Sequence, residues 1–333
     1  MQLQQNLHQF TKAGISVFAI SYDPVEAQAA FAQEYGIAYS LLADVDHQAI
    51  EATGILNVQN VVGAEHDVTK VAPFPVAEVE ERLQMSTWGM PYPGSYLIGQ
   101  DGTVIEKLFY RHYRTRASAA TVLRDGFGVD FEVRDHPRAE VGADGVRIRA
   151  TLGTEAMVYM ETSTLYIEID LDEGLHLYGQ PVPEGYVATE VTVTGPDSVV
   201  VGAPVYPATT PFRVAGLPEQ FHVFHGDLRV SVPVYYVLEH FDHLLARGRM
   251  LAQSGPEHEA SIVRQLVAHA EATRPPDEME IRLDVTIRFQ ACSDVVCFPP
   301  ETRTFQLDVP IAAVHMSDRA MRELRLGPQS DES

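Results

Sequence analysis

The chain has 333 residues, of which 46 are acidic and 24 basic, giving a formal net charge of −22 with neutral histidines. A field of that sign repels phosphate and excludes nucleic acid and anionic membrane surfaces as expected partners. With 45% apolar and 21% charged residues the chain is globular material of about two domains, and no run reaches the roughly 18 apolar residues that a membrane-spanning helix needs.

Met1–Leu7 has neither a basic nor an apolar leader region, so no signal peptide is expected in this chain. Residues 15–21 form a short apolar run rich in β-formers and predict a buried strand. Asp23 as N-cap and Pro24 as first helical residue then predict a helix that puts Ala27, Phe31 and Tyr35 on one face and stops at Gly36. A second short strand at 40–43 leads to a helix from Asp44–Asp46 to Gly54. Residues 57–90 lack periodicity and predict a long loop. Tyr96–Ile98 and Thr103–Tyr110 flank Gln100-Asp101-Gly102, a hairpin signal, and a last helix is expected over 116–125.

Four segments carry a first resemblance: Val17–Asp23, Tyr39–Asp44, Pro91–Ile98 with Asp101-Gly102, and Tyr113–Arg116. Through them residues 1–125 resemble the peroxiredoxin-like redoxins, the AhpC/TSA group of the thioredoxin superfamily. The resemblance implies a thioredoxin-like α/β domain, here truncated, because the family's reactive cysteine is expected upstream of the helix at Leu3–Lys12. No cysteine occurs in residues 1–291. Peroxide reduction and dithiol exchange both need a thiolate, so this domain is expected to do neither. Pro93 matches the family's cis-proline position, and a cis peptide bond before it is expected.

From about residue 130 strands dominate, at 146–151, 157–170, 186–194, 198–202, 227–234, 280–291 and 303–309. Many short strands with turn residues between them suggest an antiparallel sandwich. Helical spacing at 235–274, from Tyr236 to Ala270, predicts two helices inserted between sandwich strands. The expected domains are therefore 1–128, 129–316 with the insertion, and a polar tail at 317–333.

The only two cysteines, Cys292 and Cys297, lie in Ile287–Arg303 and are followed by Phe298-Pro299-Pro300. That segment resembles the active-site hairpin of the N-terminal periplasmic domain of DsbD, the thiol:disulfide interchange protein, and Gly174–Tyr178 with Pro181 and Gly185 resembles the same family's early strand. The resemblance implies an immunoglobulin-like sandwich, an extracytoplasmic setting, and exchange with a thioredoxin-like or membrane thiol-disulfide partner.

Read without the family, a strand ending near Ala291 and another starting near Thr302 put the cysteines on opposite limbs of a narrow loop, within reach of a disulfide. So small a ring contributes only about 2 kcal/mol in the chain-entropy model. Exchange chemistry, a structural disulfide and soft-metal binding all remain open on this reading. Asp294 would oppose thiolate formation at Cys292 by like charge. Tyr178 and Phe298 are expected to shield the pair partly, and a Cys297→Ser chain is expected to trap a partner on Cys292.

The cluster Glu239-His240-Phe241-Asp242-His243, with His222 and His225 upstream, reads as solvated helix positions, and Met157 and Met160 read as core. No nucleophile elbow, phosphate loop or metalloprotease motif is present, so no cofactor or metal is expected. The sequence thus points to thiol-disulfide exchange through Cys292 and Cys297. The alternatives are a non-enzymatic binding or scaffold protein with a structural disulfide and, with no motif behind it, a hydrolytic site between the domains.

Overall fold

The computed structural model describes residues 2–56, 91–110, 115–132, 135–213, 219–238, 245, 248–249, 257–272, 279–293 and 295–312. They fall into two compact units: the described residues of 1–132 with those of 238–277, and those of 133–237 with those of 278–312. The expected loop at 57–90, the helical cluster at 239–244 and the tail at 317–333 lie outside the described residues.

The first unit opens with helices α1 (Gln2–Gln5) and α2 (Leu7–Lys12). Strand β1 (Phe18–Ser21) then pairs in parallel with β2 (Ser40–Ala43), the two being joined by helix α3 (Val25–Tyr35). Gly36 ends α3 at φ 60°, a left-handed conformation that glycine adopts without strain. The helix starts one residue later than expected, with Pro24 as its N-cap, and Asp23 engages Ser21 instead.

Buried Gln28 ties this β-α-β unit together, donating to the carbonyls of Asp23 at 3.0 Å and Leu42 at 3.1 Å. Helix α4 (Gln48–Ala52) follows, its first turn held by the Asp44 carboxylate, which accepts from the backbone N–H groups of Ala49 and Ile50. Strands β3 (Gly94–Ile98) and β4 (Val104–Phe109) form the expected hairpin.

Three expectations are corrected in this unit. The strand at 15–21 is not buried: Phe18 and Ile20 stand more than half exposed, as does Val25, and Ala27 and Phe31 on the helix face are exposed too. The reason is the sheet, since among the described residues β1 pairs with β2 alone and β3 with β4 alone, leaving apolar positions without a covering layer.

The Tyr92–Pro93 bond is not cis; among the described residues the cis X-Pro bond lies at Gln180–Pro181. A trans bond keeps this stretch extended, so that Pro91 bridges Leu56 and the Tyr92 N–H reaches the Ile55 carbonyl at 2.7 Å. The helix expected at 116–125 starts later. Residues Arg116–Ala117 are extended as β5, Ser118 caps the Thr121 N–H with its hydroxyl at 3.0 Å, and Thr121–Gly126 is a π-helical turn.

The second unit is mostly β, built from alternating sequences whose apolar side chains share one face. Strands β6 (Arg138–Ala143), β7 (Val146–Leu152), β8 (Met157–Val158) and β9 (Glu161–Leu171) come first, the run expected at 157–170 being broken at Met160, where φ is 55°. Next are β10 (His176–Tyr178), β11 (Glu190–Thr194), β12 (Val199–Val201), β13 (Thr210–Phe212), β14 (Phe221–His225) and β15 (Leu228–Tyr236).

Helix α5 (Glu257–Ala272) supplies the second of the two expected helices and buries Ala260, Val263 and Val267. It groups with the first unit rather than with the strands that flank it in sequence. The chain then returns as β16 (Glu280–Phe289), β17 (Ala291–Cys292) and β18 (Glu301–Ala312).

Three sheets result, ordered β12-β15-β9-β7-β6, β11-β16-β18-β8 and β13-β14-β10-β17. Central β9 buries Leu165, Ile167 and Ile169 on one face, while the other carries Thr162, Thr164 and Tyr166 followed by Glu168 and Asp170, whose carboxylates pair with Arg149 and Arg229. Met157 and Met160 are buried, in keeping with core packing. Buried Arg303 donates to the Val146 carbonyl at 2.6 Å, the Ala143 carbonyl at 3.1 Å and the Glu301 carboxylate at 2.8 Å, which joins β18 to the β6–β7 turn.

Candidate functional site

Strands β16 and β18 form a long antiparallel hairpin from Glu280↔Pro310 to Phe289↔Glu301. The connection between them carries both cysteines, as the sequence predicts. It does not remain in its parent sheet: Ala291 and Cys292 cross over and pair with Leu177 and His176 of β10. Buried Gln290 is the pivot, its carboxamide accepting from the Val187 N–H and donating to the Phe298 carbonyl, both at 3.0 Å.

Past Cys292 the chain turns on Ser293, whose N–H donates to the Val296 carbonyl at 2.8 Å and whose hydroxyl accepts from the Val296 N–H at 3.0 Å. The turn returns Cys297 opposite Cys292, with Cα atoms 4.1 Å apart and the sulfurs joined in a disulfide.

The two sulfurs stand in unlike surroundings. Cys292 is 0% exposed, whereas Cys297 lies on the surface with Val295, Val296 and Phe298 exposed around it. The Tyr178 hydroxyl lies 3.3 Å from Cys292 Sγ and 3.2 Å from Cys297 Sγ. Disulfide sulfur carries no proton, so the phenol is the donor in either contact. Burial first and then neighbouring Tyr186 push the Tyr178 phenol above its ordinary value, which keeps that proton in place.

The Tyr178 ring stacks on Phe221 at 5.1 Å between centroids and meets Tyr186 edge-on at 5.3 Å. With Val223, Cys292 and the flanking Val182 and Phe212 these rings form an apolar box on one face of the third sheet. Gly179 lets the backbone leave this strand closely packed, because a Cβ there would collide with the Thr209 side chain and the Phe224 ring.

Of the residues singled out from sequence, Cys292, Cys297 and Tyr178 meet in one cluster. Phe298 sits beside it, more exposed than shielding, with its N–H on the Ala291 carbonyl at 2.9 Å. Asp294 lies outside the described residues, and Pro93 belongs to the other unit. His222 and His225 alternate on β14 and so point to opposite faces. His222 meets the Thr209 hydroxyl at 3.3 Å, while His225 sits across from His176.

Sequence reasoning missed His176, although it lies two positions before Tyr178 and pairs directly with Cys292. It also missed Tyr186 and Phe221, which reach the site from other parts of the chain. A period-2 pattern His176-x-Tyr178 was the available signal. Among the described residues no group of three or more His, Cys, Asp or Glu side chains is arranged to hold a metal ion.

Comparison with known proteins finds likenesses for parts of the chain. Residues 1–107 match the model of the AhpC/TSA family. Peroxiredoxin Bcp of Escherichia coli (strain K12) is 34% identical over 65 residues, which covers 20% of this chain and 42% of that protein. The chain thus spans less than half the length of this relative. The N-terminal part is therefore similar to AhpC/TSA redoxins, and a thioredoxin-like domain is consistent with that match.

Among solved structures, the N-terminal periplasmic domain of ScsB from Proteus mirabilis is similar at a TM-score of 0.31 and 15% identity, covering 53% of this chain and 52% of that one. The reduced DsbD N-terminal domain of Neisseria meningitidis is similar at 0.23 and 12%, covering 53% and 83%.

Proposed function

We propose that the chain carries out thiol-disulfide exchange through Cys292 and Cys297, mounted on an immunoglobulin-like sandwich, with a thioredoxin-like or membrane-bound dithiol protein as partner. The observation that carries the reading is the asymmetry of the disulfide, one cysteine exposed and the other fully buried, with a phenol hydroxyl within hydrogen-bond reach of both sulfurs.

A thiolate must attack one sulfur in line while the other leaves. Cys297 is the sulfur a partner can reach, so Cys292 leaves, into a site where Tyr178 donates a hydrogen bond to the charge that develops. The expectation that Cys292 would trap a partner is thereby reversed, because a buried sulfur has no approach path. Exposed Val295, Val296 and Phe298 give a protein partner apolar contact beside the reactive sulfur.

The thioredoxin-like part contains no cysteine and serves in this reading as a non-redox binding or scaffold domain. A measured reduction potential tests the proposal. A value between about −270 and −120 mV supports exchange, whereas one below about −300 mV assigns the bond a structural role. In parallel, the Cys297 thiolate of a Cys292→Ser chain should attack the disulfide of oxidised thioredoxin, releasing one thioredoxin sulfur as thiolate and holding the other as a mixed disulfide, and failure to do so under exchange conditions counts against the assignment.

A further inference from the structure

The backbone register places four residues in one cross-strand row: His225 on β14, His176 on β10, Cys292 on β17 and Cys297 beyond it. Residues directly opposite across an antiparallel pair project to the same face, with Cβ atoms about 4.5–5.5 Å apart. His176 is 2% exposed, its ring 4.6 Å from that of Phe212, 5.9 Å from Tyr178 and 5.6 Å from His225, all between centroids. His225, at the outer end of the row, is exposed. An aliphatic side chain could fill the place of His176 without the desolvation cost of an imidazole, so its chemistry rather than its volume asks for an explanation.

We propose that His176 is the positioning residue of the exchange, holding the negative charge that appears on Cys292 when the pair is reduced. The inference rests on the exchange reading above. In the first step a partner thiolate bonds to Cys297 Sγ, the Cys292–Cys297 bond breaks, and its electron pair departs on Cys292 Sγ. In the second step the partner's other thiolate attacks its own sulfur in the mixed disulfide and releases Cys297 as thiolate. The partner dithiol is oxidised to a disulfide, the cysteine pair gains two electrons, and the two thiol protons pass through solvent to the reduced pair.

The leaving sulfur is fully buried, and a bare thiolate in an apolar box is strongly disfavoured. Tyr178 supplies a neutral donor from one side. The register sets His176 directly across from Cys292 on the same face, with Cβ atoms about 4.5–5.5 Å apart, and an opposite charge within about 4–6 Å favours the ionised form. Titratable groups facing His176 include Tyr178 on its own strand, His225 from β14 and Cys292 from β17; Phe212 covers it from β13. His225 brings solvent protons to within one ring of it.

The test uses the full chain. In a Cys297→Ser background, where Cys292 is the only thiol, ultraviolet thiolate absorbance is followed against pH with and without His176→Gln. The substitution is expected to raise the thiol's midpoint by about one to two pH units, cutting the thiolate fraction at neutral pH roughly tenfold or more. His225→Gln should give a smaller shift of the same sign.

A readout without substitution keeps the proposal open to refutation if a variant fails to fold. In the wild-type chain, NMR of the histidine rings should show one imidazole titrating at higher pH in the reduced than in the oxidised protein. An unchanged thiol titration in folded His176→Gln, or histidine titrations independent of redox state, overturns the role of His176 while leaving exchange intact. Absence of any reduction of the wild-type disulfide by reduced thioredoxin overturns both.

Discussion

Replacing Tyr178 with phenylalanine removes one oxygen atom and isolates what the phenol does for the disulfide. The phenylalanine ring keeps the stacking on Phe221 and the edge contact with Tyr186, so the apolar box stays filled. Loss of a neutral hydrogen bond to sulfur should cost at most about 1 kcal/mol of folding stability. The reduced protein loses more, because a hydrogen bond to a charged acceptor contributes about 1.5–3 kcal/mol. At about 1.4 kcal/mol per unit, the Cys292 thiol should move up by about one to two pH units. Where Cys292 is ionised, the reduced state is destabilised by the same amount, and the reduction potential becomes more negative by up to about 30–60 mV. Redox equilibration against glutathione buffers gives the potential, thiolate absorbance gives the titration, and urea unfolding reports the fold. A Tyr178→Phe chain with unaltered potential and unaltered titration would refute the idea that this hydroxyl stabilises the leaving sulfur. A loss of several kcal/mol in stability would recast Tyr178 as a packing residue.

Further expectations concern burial, core packing and pH. Alkylation of single-cysteine chains should label Cys297 quickly and Cys292 only once denaturant is added; equal rates in the native state would contradict the buried position of Cys292. Phe289→Ala, at the fully buried end of β16 where the Arg303 guanidinium stands 5.1 Å from the ring centre, should cost about 3–5 kcal/mol in denaturant unfolding, with the disulfide still forming in air. Asp44 is held below the usual carboxylate range, first by the Ala49 N–H, so its contribution is present above the unfolded value of about 3.9 and is lost as pH falls through the depressed folded value. Asp44→Ala should accordingly lower thermal stability at neutral pH and have little effect in strong acid, and an equal loss at both would sink the capping argument. A chain with both cysteines replaced by serine should show no thiol-dependent turnover of peroxide or disulfide substrates, since no other sulfur nucleophile is present.

Local chemistry made several parts of this protein readable from its residues. Gly36 stops α3, Gln100-Asp101-Gly102 turns the β3–β4 hairpin, and the alternating runs at 146–152 and 280–289 form strands, because each depends on neighbours a few positions away. The cysteine loop belongs to the same class, since two cysteines five positions apart between β-forming runs have few other ways to lie. Burial was not readable in this way. Phe18 and Ile20 look like core and are exposed, because whether a strand is covered depends on the sheet around it and not on its own composition. The surroundings of the sulfurs were hidden for the same reason. His176 and Tyr178 lie more than a hundred positions before Cys292, Phe221 lies in a different strand again, and only the pairing of β10 with both β14 and β17 sets them on one face. Neighbouring residues set the groups available at short range, while the register of strands distant in the chain decides which cysteine is buried, which is exposed, and which phenol and imidazole share their face.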